Sequence, residues 1–135
     1  MKTSLLLTLL AALLLPGLSL VADEKAAPAT AVKRVDVDQY EKLRSNTNVV
    51  ILDVRSAAEF EKGHVPGAIN IDINSPRFAE LTDKLDKSKP HLVNCAVGMR
   101  SARACKKLEA AGFKELYDLA PGFDGWKKAG KAVQK

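Results

Sequence analysis

The chain has 135 residues, 27% of them charged and 47% hydrophobic, with a formal net charge of +5 and two cysteines. This is the size and composition of one globular domain, large enough for a single core. The basic residues are scattered, without interleaved aromatics, which fits a solvated surface mildly attractive to small anions and argues against a nucleic-acid partner.

Residues 1–22 read as a cleaved signal peptide: the basic start Met1-Lys2-Thr3-Ser4, an uncharged apolar run from Leu5 to Leu15, the break Pro16-Gly17, and Ala22 before Asp23-Glu24-Lys25. The apolar run is too short and too interrupted for a membrane span, which takes about 20 residues. Cleavage after Ala22 leaves the large Leu20 three positions upstream, so cleavage after Ser19 is the alternative. Export to the periplasm or the exterior follows, with no membrane attachment once the peptide is removed. Residues 23–32, rich in Ala and Pro, read as a flexible linker, and residues 33–135 as one domain.

Within the domain, short strands and helices alternate. Lys33–Val37 is a strand and Asp38–Arg44 a helix presenting Tyr40 and Leu43 on one face. Val49–Val54 is a nearly continuous apolar run, the pattern of a buried parallel strand. Ser56-Ala57-Ala58-Glu59 is a capping box opening a helix through Lys62, and Gly63-His64-Val65-Pro66-Gly67 turns the chain into a strand over Ala68–Ile71. Ser75-Pro76 starts a helix to Leu85. His91–Asn94 is a strand, Ser101–Ala111 a helix, Glu115–Leu119 a strand, and Pro121-Gly122 leads a last helix bearing Phe123 and Trp126. The alternation predicts an α/β fold: a central, mostly parallel five-stranded sheet with helices on both faces.

Between the fourth strand and its helix lies Cys95-Ala96-Val97-Gly98-Met99-Arg100-Ser101. A thiol at the carboxyl end of a strand, under a tight loop and at a helix N-terminus, sits where open α/β sheets bind ligands and where aligned N–H groups stabilise an anion. Gly98 permits a left-handed backbone, and Arg100 adds the loop's only charge. An ordinary thiol is only a few per cent thiolate at neutral pH, and such a site lowers its pKa.

Other thiol chemistries lack partners. His91 begins the strand that Cys95 follows, about 13 Å away at strand rise. His64 lies in a glycine-rich turn where a backbone bond is its expected role. There is no CxxC pair and no metal-ligand cluster, so neither a dithiol nor a metal or other cofactor is implied. Cys105 falls on the apolar helix face with Ala102 and Leu108, pointing into the core, so a Cys95–Cys105 disulfide is not expected. Asp53, Arg55 and Glu59 read as structural ion-pair residues and Trp126 as core packing. A solitary nucleophilic cysteine in a ring of donors remains.

These residues resemble the rhodanese family of sulfurtransferases. The resemblance rests on Leu52-Asp53-Val54-Arg55 with Glu59-Phe60 and Gly63-His64-Val65-Pro66-Gly67-Ala68-Ile69-Asn70. It continues in Cys95-x-x-Gly98-x-Arg100-Ser101 with Ala104, Leu108 and Gly112-Phe113, and ends at Gly122 and Trp126. It implies a rhodanese-like fold acting as a monomer, with Cys95 as nucleophile and Ala96, Val97, Gly98, Met99, Arg100 and Ser101 as the substrate-binding loop. It further implies that Cys95 takes a sulfur atom from a small anionic donor such as thiosulfate, or from a persulfide, and passes it to cyanide or a thiol. The alternative is a non-catalytic module or persulfide carrier serving a protein partner. In related phosphatases the cysteine-to-arginine loop is one residue longer, so the shorter loop here favours sulfur over phosphate.

Overall fold

Five short strands form one parallel sheet in the computed structural model, which describes residues 32–135. The signal-peptide expectation and the linker expectation up to residue 31 lie outside the described residues, while Val32, read as the end of the linker, is the first residue of a strand paired with Leu116. In chain order the elements are β1 (Val32–Val35), α1 (Val37–Arg44), β2 (Val50–Asp53), α2 (Ala57–Glu61), β3 (Ile69–Asn70), α3 (Phe78–Asp83), β4 (Pro90–Asn94), α4 (Met99–Ala110), β5 (Glu115–Leu119) and α5 (Gly122–Lys128). The strand order is β1-β5-β4-β2-β3, and every pairing is parallel.

Alternation along the strands divides the core in two. Leu52, Val93 and Leu116 face one side, against Phe78 of α3 and Ala104, Cys105 and Leu108 of α4. Ile51, Leu92 and Tyr117 face the other, against Tyr40 of α1 and Phe123 and Trp126 of α5. Both faces of β2, β4 and β5 are therefore covered, which is why these segments read as apolar runs. The expected fold class stands, with a sheet that is wholly rather than mostly parallel.

Most element boundaries shift by a residue or two from the sequence reading, and three helix starts have a local cause or consequence. Val37 belongs to α1, not to a strand, because Asp36 caps the helix: its Oδ1 accepts from Gln39 N at 2.8 Å, and Gln39 Oε1 accepts from Asp36 N at 3.1 Å. α3 begins at Phe78 because Ser75 and Pro76 form a separate turn, where Phe78 N donates to the Ser75 carbonyl at 3.1 Å and Arg77 N to Ser75 Oγ at 3.1 Å. α4 begins at Met99, two residues before Ser101, so Arg100 and Ser101 belong to its first turn.

The topology creates the site. The chain leaves β2 toward β3 and leaves β4 toward β5, in opposite directions across the sheet. The segments after the carboxyl ends of β2 and β4 thus flank a crevice, the position where such sheets take ligands. Cys95 follows β4 directly, and the capping box of α2 follows β2.

Candidate active site

The loop after β4 is held from outside by its carbonyls. Phe123 N donates to the Cys95 carbonyl at 2.7 Å and Asp124 N to the Ala96 carbonyl at 3.0 Å, so the N-terminus of α5 clasps the loop. Two glycines make this approach possible. Gly122 has φ 64°, and a Cβ there would lie 2.3 Å from the Ala96 oxygen. Gly98 has φ 93°, and a Cβ there would lie 2.2 Å from the Ala120 oxygen. With its carbonyls turned toward α5, the loop turns N–H groups inward.

Those groups meet the thiol. Gly98 N donates to Cys95 Sγ at 3.1 Å, and the thiol lies 3.4 Å from Ser101 Oγ. Burial pushes the Cys95 pKa up, but the hydrogen bond between the thiol and the Ser101 hydroxyl, with those from the N–H groups of Ser101, Val97 and Gly98, outweighs it, and the net direction is down. Cys105 is the opposite case: burial and the nearby Asp118 charge raise its pKa strongly. Both cysteines are free thiols, and Cys105 sits in the core as expected.

The structure distributes the seven expected site residues around the loop as follows. Cys95 Sγ lies inside it with the N–H groups of Val97, Gly98 and Ser101. Ala96 lines a hollow of about 280 Å³ beside the loop, together with Phe123, Lys62, Lys127 and the carboxylates of Glu59 and Asp124. The Val97 and Met99 side chains project outward, 58% and 75% exposed, and form an apolar rim. Arg100 points across the crevice to Glu59, with Nη1–Oε2 and Nη2–Oε1 both 2.8 Å. Its positive charge is thereby matched by a carboxylate. The Arg100 hydrogen bond is the largest influence on Glu59 and brings its pKa down to about 2.

Glu59 therefore has a role that the sequence left as a general structural one. The same carboxylate accepts from Ser56 N at 3.0 Å and Ser56 Oγ at 2.9 Å, completing the capping box of α2. One residue fixes both the entry to α2 and the aim of Arg100. The capping-box pattern was visible; the cross-crevice partner, 41 positions along the chain, was not. Asp118 is a second residue that sequence reasoning missed: Ser101 Oγ donates to its Oδ1 at 2.6 Å. Only the parallel register, which sets Asp118 beside Val93, places it under the loop.

The remaining polar residues serve the frame. Arg55 and Asp53 form a buried ion pair, 2.7 Å from Nη2 to Oδ2, and Arg55 also donates to the Gly63 carbonyl at 2.8 Å. His64 Nδ1 bonds the Phe60 carbonyl at 3.0 Å, and its ring stacks on Phe60. His91 is buried against Phe113, with Nδ1 bonded to the Lys89 carbonyl. Trp126 is fully buried and donates to the Ala132 carbonyl at 2.7 Å. Neither histidine bonds the thiol, so the site offers a nucleophile and anion-stabilising donors without an imidazole base.

The fold and site together define a parallel α/β domain that holds a cysteine thiol at the carboxyl end of a strand, against the N-terminus of the following helix. The family model described as Rhodanese-like domain matches residues 36–129, and the chain belongs to that family. It is 31% identical over 100 residues to the thiosulfate sulfurtransferase GlpE of Shewanella oneidensis, covering 74% of this chain and 97% of that protein. It is 38% identical over 80 residues to the protein of the same name from Coxiella burnetii, covering 59% of this chain and 73% of that one. The crystal structure of a rhodanese-related protein from Thermoplasma volcanium superposes with a TM-score of 0.65 at 29% identity, covering 76% of this chain and 97% of that one.

Proposed function

We propose that the protein is a sulfurtransferase that moves a sulfane sulfur from thiosulfate or a persulfide donor to a thiol or cyanide through a persulfide on Cys95. The observation that carries this reading is the thiol itself, held 3.1 Å from an inward N–H of the loop with its pKa directed down. The Cys95 thiolate attacks the outer sulfur of the donor. The S–S bond of thiosulfate breaks, its electron pair leaves with sulfite, and the new S–S bond forms on Cys95. In the second step the acceptor attacks the outer sulfur and Cys95 leaves as thiolate. The inward N–H groups stabilise the anionic sulfur at each stage. The family and the similarity to proteins named thiosulfate sulfurtransferase support the same chemistry.

The loop's surroundings bear on the donor. Arg100 is matched by Glu59, and the rim of Val97 and Met99 is apolar. These features favour a singly charged persulfide, including one carried by a protein, over a dianion. They also keep a place for the carrier reading, in which the Cys95 persulfide forms but turns over slowly with small donors. Export belongs to this proposal too and rests on the sequence of residues 1–22. N-terminal sequencing of protein recovered from the periplasm tests it; an intact Met1 there contradicts it.

Steady-state transfer from thiosulfate to cyanide, compared between the protein and its Cys95→Ser variant, tests the reaction. Loss of turnover in a folded variant is expected, and retained turnover overturns the reading. A Cys95 persulfide in the unaltered protein, without turnover, selects the carrier.

A further inference from the structure

Beneath the loop, three side chains form a continuous hydrogen-bonded line. The Cys95 thiol faces Ser101 Oγ at 3.4 Å, and Ser101 Oγ donates to Asp118 Oδ1 at 2.6 Å. Asp118 is 1% exposed, and its second oxygen has no hydrogen-bond partner. We propose that Cys95 and Asp118 share one proton through the Ser101 hydroxyl, so that Asp118 receives the thiol proton when the nucleophile forms and returns it when Cys95 becomes the leaving group.

The hydroxyl makes this exchange possible because it has one proton to give. With Asp118 ionised, Ser101 donates to the carboxylate and can only accept from the thiol, which holds Cys95 protonated. When the S–H bond breaks, its proton passes to Ser101 Oγ while the Ser101 proton passes to Asp118 Oδ1. The electron pair stays on Sγ and no oxidation state changes. Asp118 then donates to Ser101, and Ser101 donates to the thiolate. Each arrangement keeps both hydrogen bonds of the line, with Asp118 Oδ2 outside it in either case, so the line has two states rather than one. The charge stays within the buried cluster and moves from one end to the other.

The surroundings bring the two groups toward each other in proton affinity. Burial raises the Asp118 pKa against the lowering effects of Ser101 and Arg34, while that of Cys95 is directed down. The groups facing Asp118 are Arg34 on β1, with Nε 3.6 Å from Oδ2, Cys105, Lys106 and Glu109 on α4, and Tyr40 on α1. Arg34 is more than half exposed, so solvent screens its hold on the carboxylate. Asp118 touches neither donor nor acceptor sulfur and acts through Ser101, which makes it a positioning residue. The inference rests on Cys95 being the nucleophile of the proposed reaction, but it is read from the proton alone.

The test is the thiolate ultraviolet absorbance of the protein, with the Cys95→Ser variant subtracted, from about pH 4 to about pH 10. A shared proton gives two resolved steps, because the pair titrates as a unit. Asp118→Asn, which keeps the shape and removes the second site, collapses the profile to one step. Ser101→Ala cuts the line while keeping both ends, and also gives one step, displaced upward in pH. A single step in the unaltered protein overturns the proposal without recourse to any variant, as do two steps that survive in Asp118→Asn. Sulfur loading of Cys95 is measured separately, so failure of the proton line is distinct from failure of the transfer reaction.

Discussion

Gly122→Ala measures how much the clasp between α5 and the loop contributes. The added Cβ would fall 2.3 Å from the Ala96 oxygen, 2.4 Å from the Ala96 carbonyl carbon and 2.6 Å from Val97 N. All three are backbone atoms, so no side chain can swing aside. Relief requires α5 and the loop to separate, which lengthens the bonds from Phe123 N to the Cys95 carbonyl and from Asp124 N to the Ala96 carbonyl. Overpacking of this kind costs about 1–3 kcal/mol, and a left-handed φ of 64° adds about 1 kcal/mol for a residue with a Cβ. Weakening two hydrogen bonds contributes about 1 kcal/mol more. A total of about 3–5 kcal/mol lowers the melting temperature of a domain this size by about 12 °C or more. Urea unfolding gives the stability, and the rate of Cys95 alkylation by iodoacetamide at fixed pH reports the loop. The reasoning predicts a large stability loss together with a changed thiol reactivity. A loss below about 1 kcal/mol with an unchanged alkylation rate would refute it.

Asp53→Asn strands the Arg55 guanidinium in the core, and removing one partner of a buried pair is expected to cost about 3 kcal/mol, read by urea unfolding. Glu59→Gln isolates a pH effect. The Glu59 pKa is depressed to about 2 in the folded protein, so its contribution is full above the ordinary carboxylate range and is lost as pH falls through about 2. The stability difference between the protein and Glu59→Gln should therefore shrink across that acid window, and a pH-independent difference would contradict the pairing with Arg100. Both thiols are buried, but the Cys95 pKa is directed down and that of Cys105 up, so titration with a small disulfide reagent at neutral pH should label Cys95 first under native conditions and both cysteines in denaturant.

Most of the fold was legible because the strands are short, apolar on both faces and punctuated by strong turn residues. β5 was read at its observed boundaries, and Ser56 and Glu59 announced α2. Two of the misplaced helix starts fall where local side-chain bonding competes with a generic signal: Asp36 capping one residue earlier, and Ser75-Pro76 satisfied in a turn of its own. At the site, Cys95, Gly98 and Ser101 were legible because their geometry is local to one loop. The partners that tune them were not. Glu59 and Asp118 reach the loop only through strand order and register, and a lone sequence carries no marker of either. The same limit explains Arg100, whose charge was visible while the carboxylate that balances it was not.

The central claim is that Cys95 takes up sulfur and gives it back. Intact-protein mass spectrometry after exposure to thiosulfate, followed by cyanide, tests it most directly. The account predicts a mass gain of one sulfur atom, located at Cys95, absent in Cys95→Ser and removed by cyanide with release of thiocyanate. No gain in the unaltered protein with either thiosulfate or a persulfide donor, or an equal gain in Cys95→Ser, would contradict it.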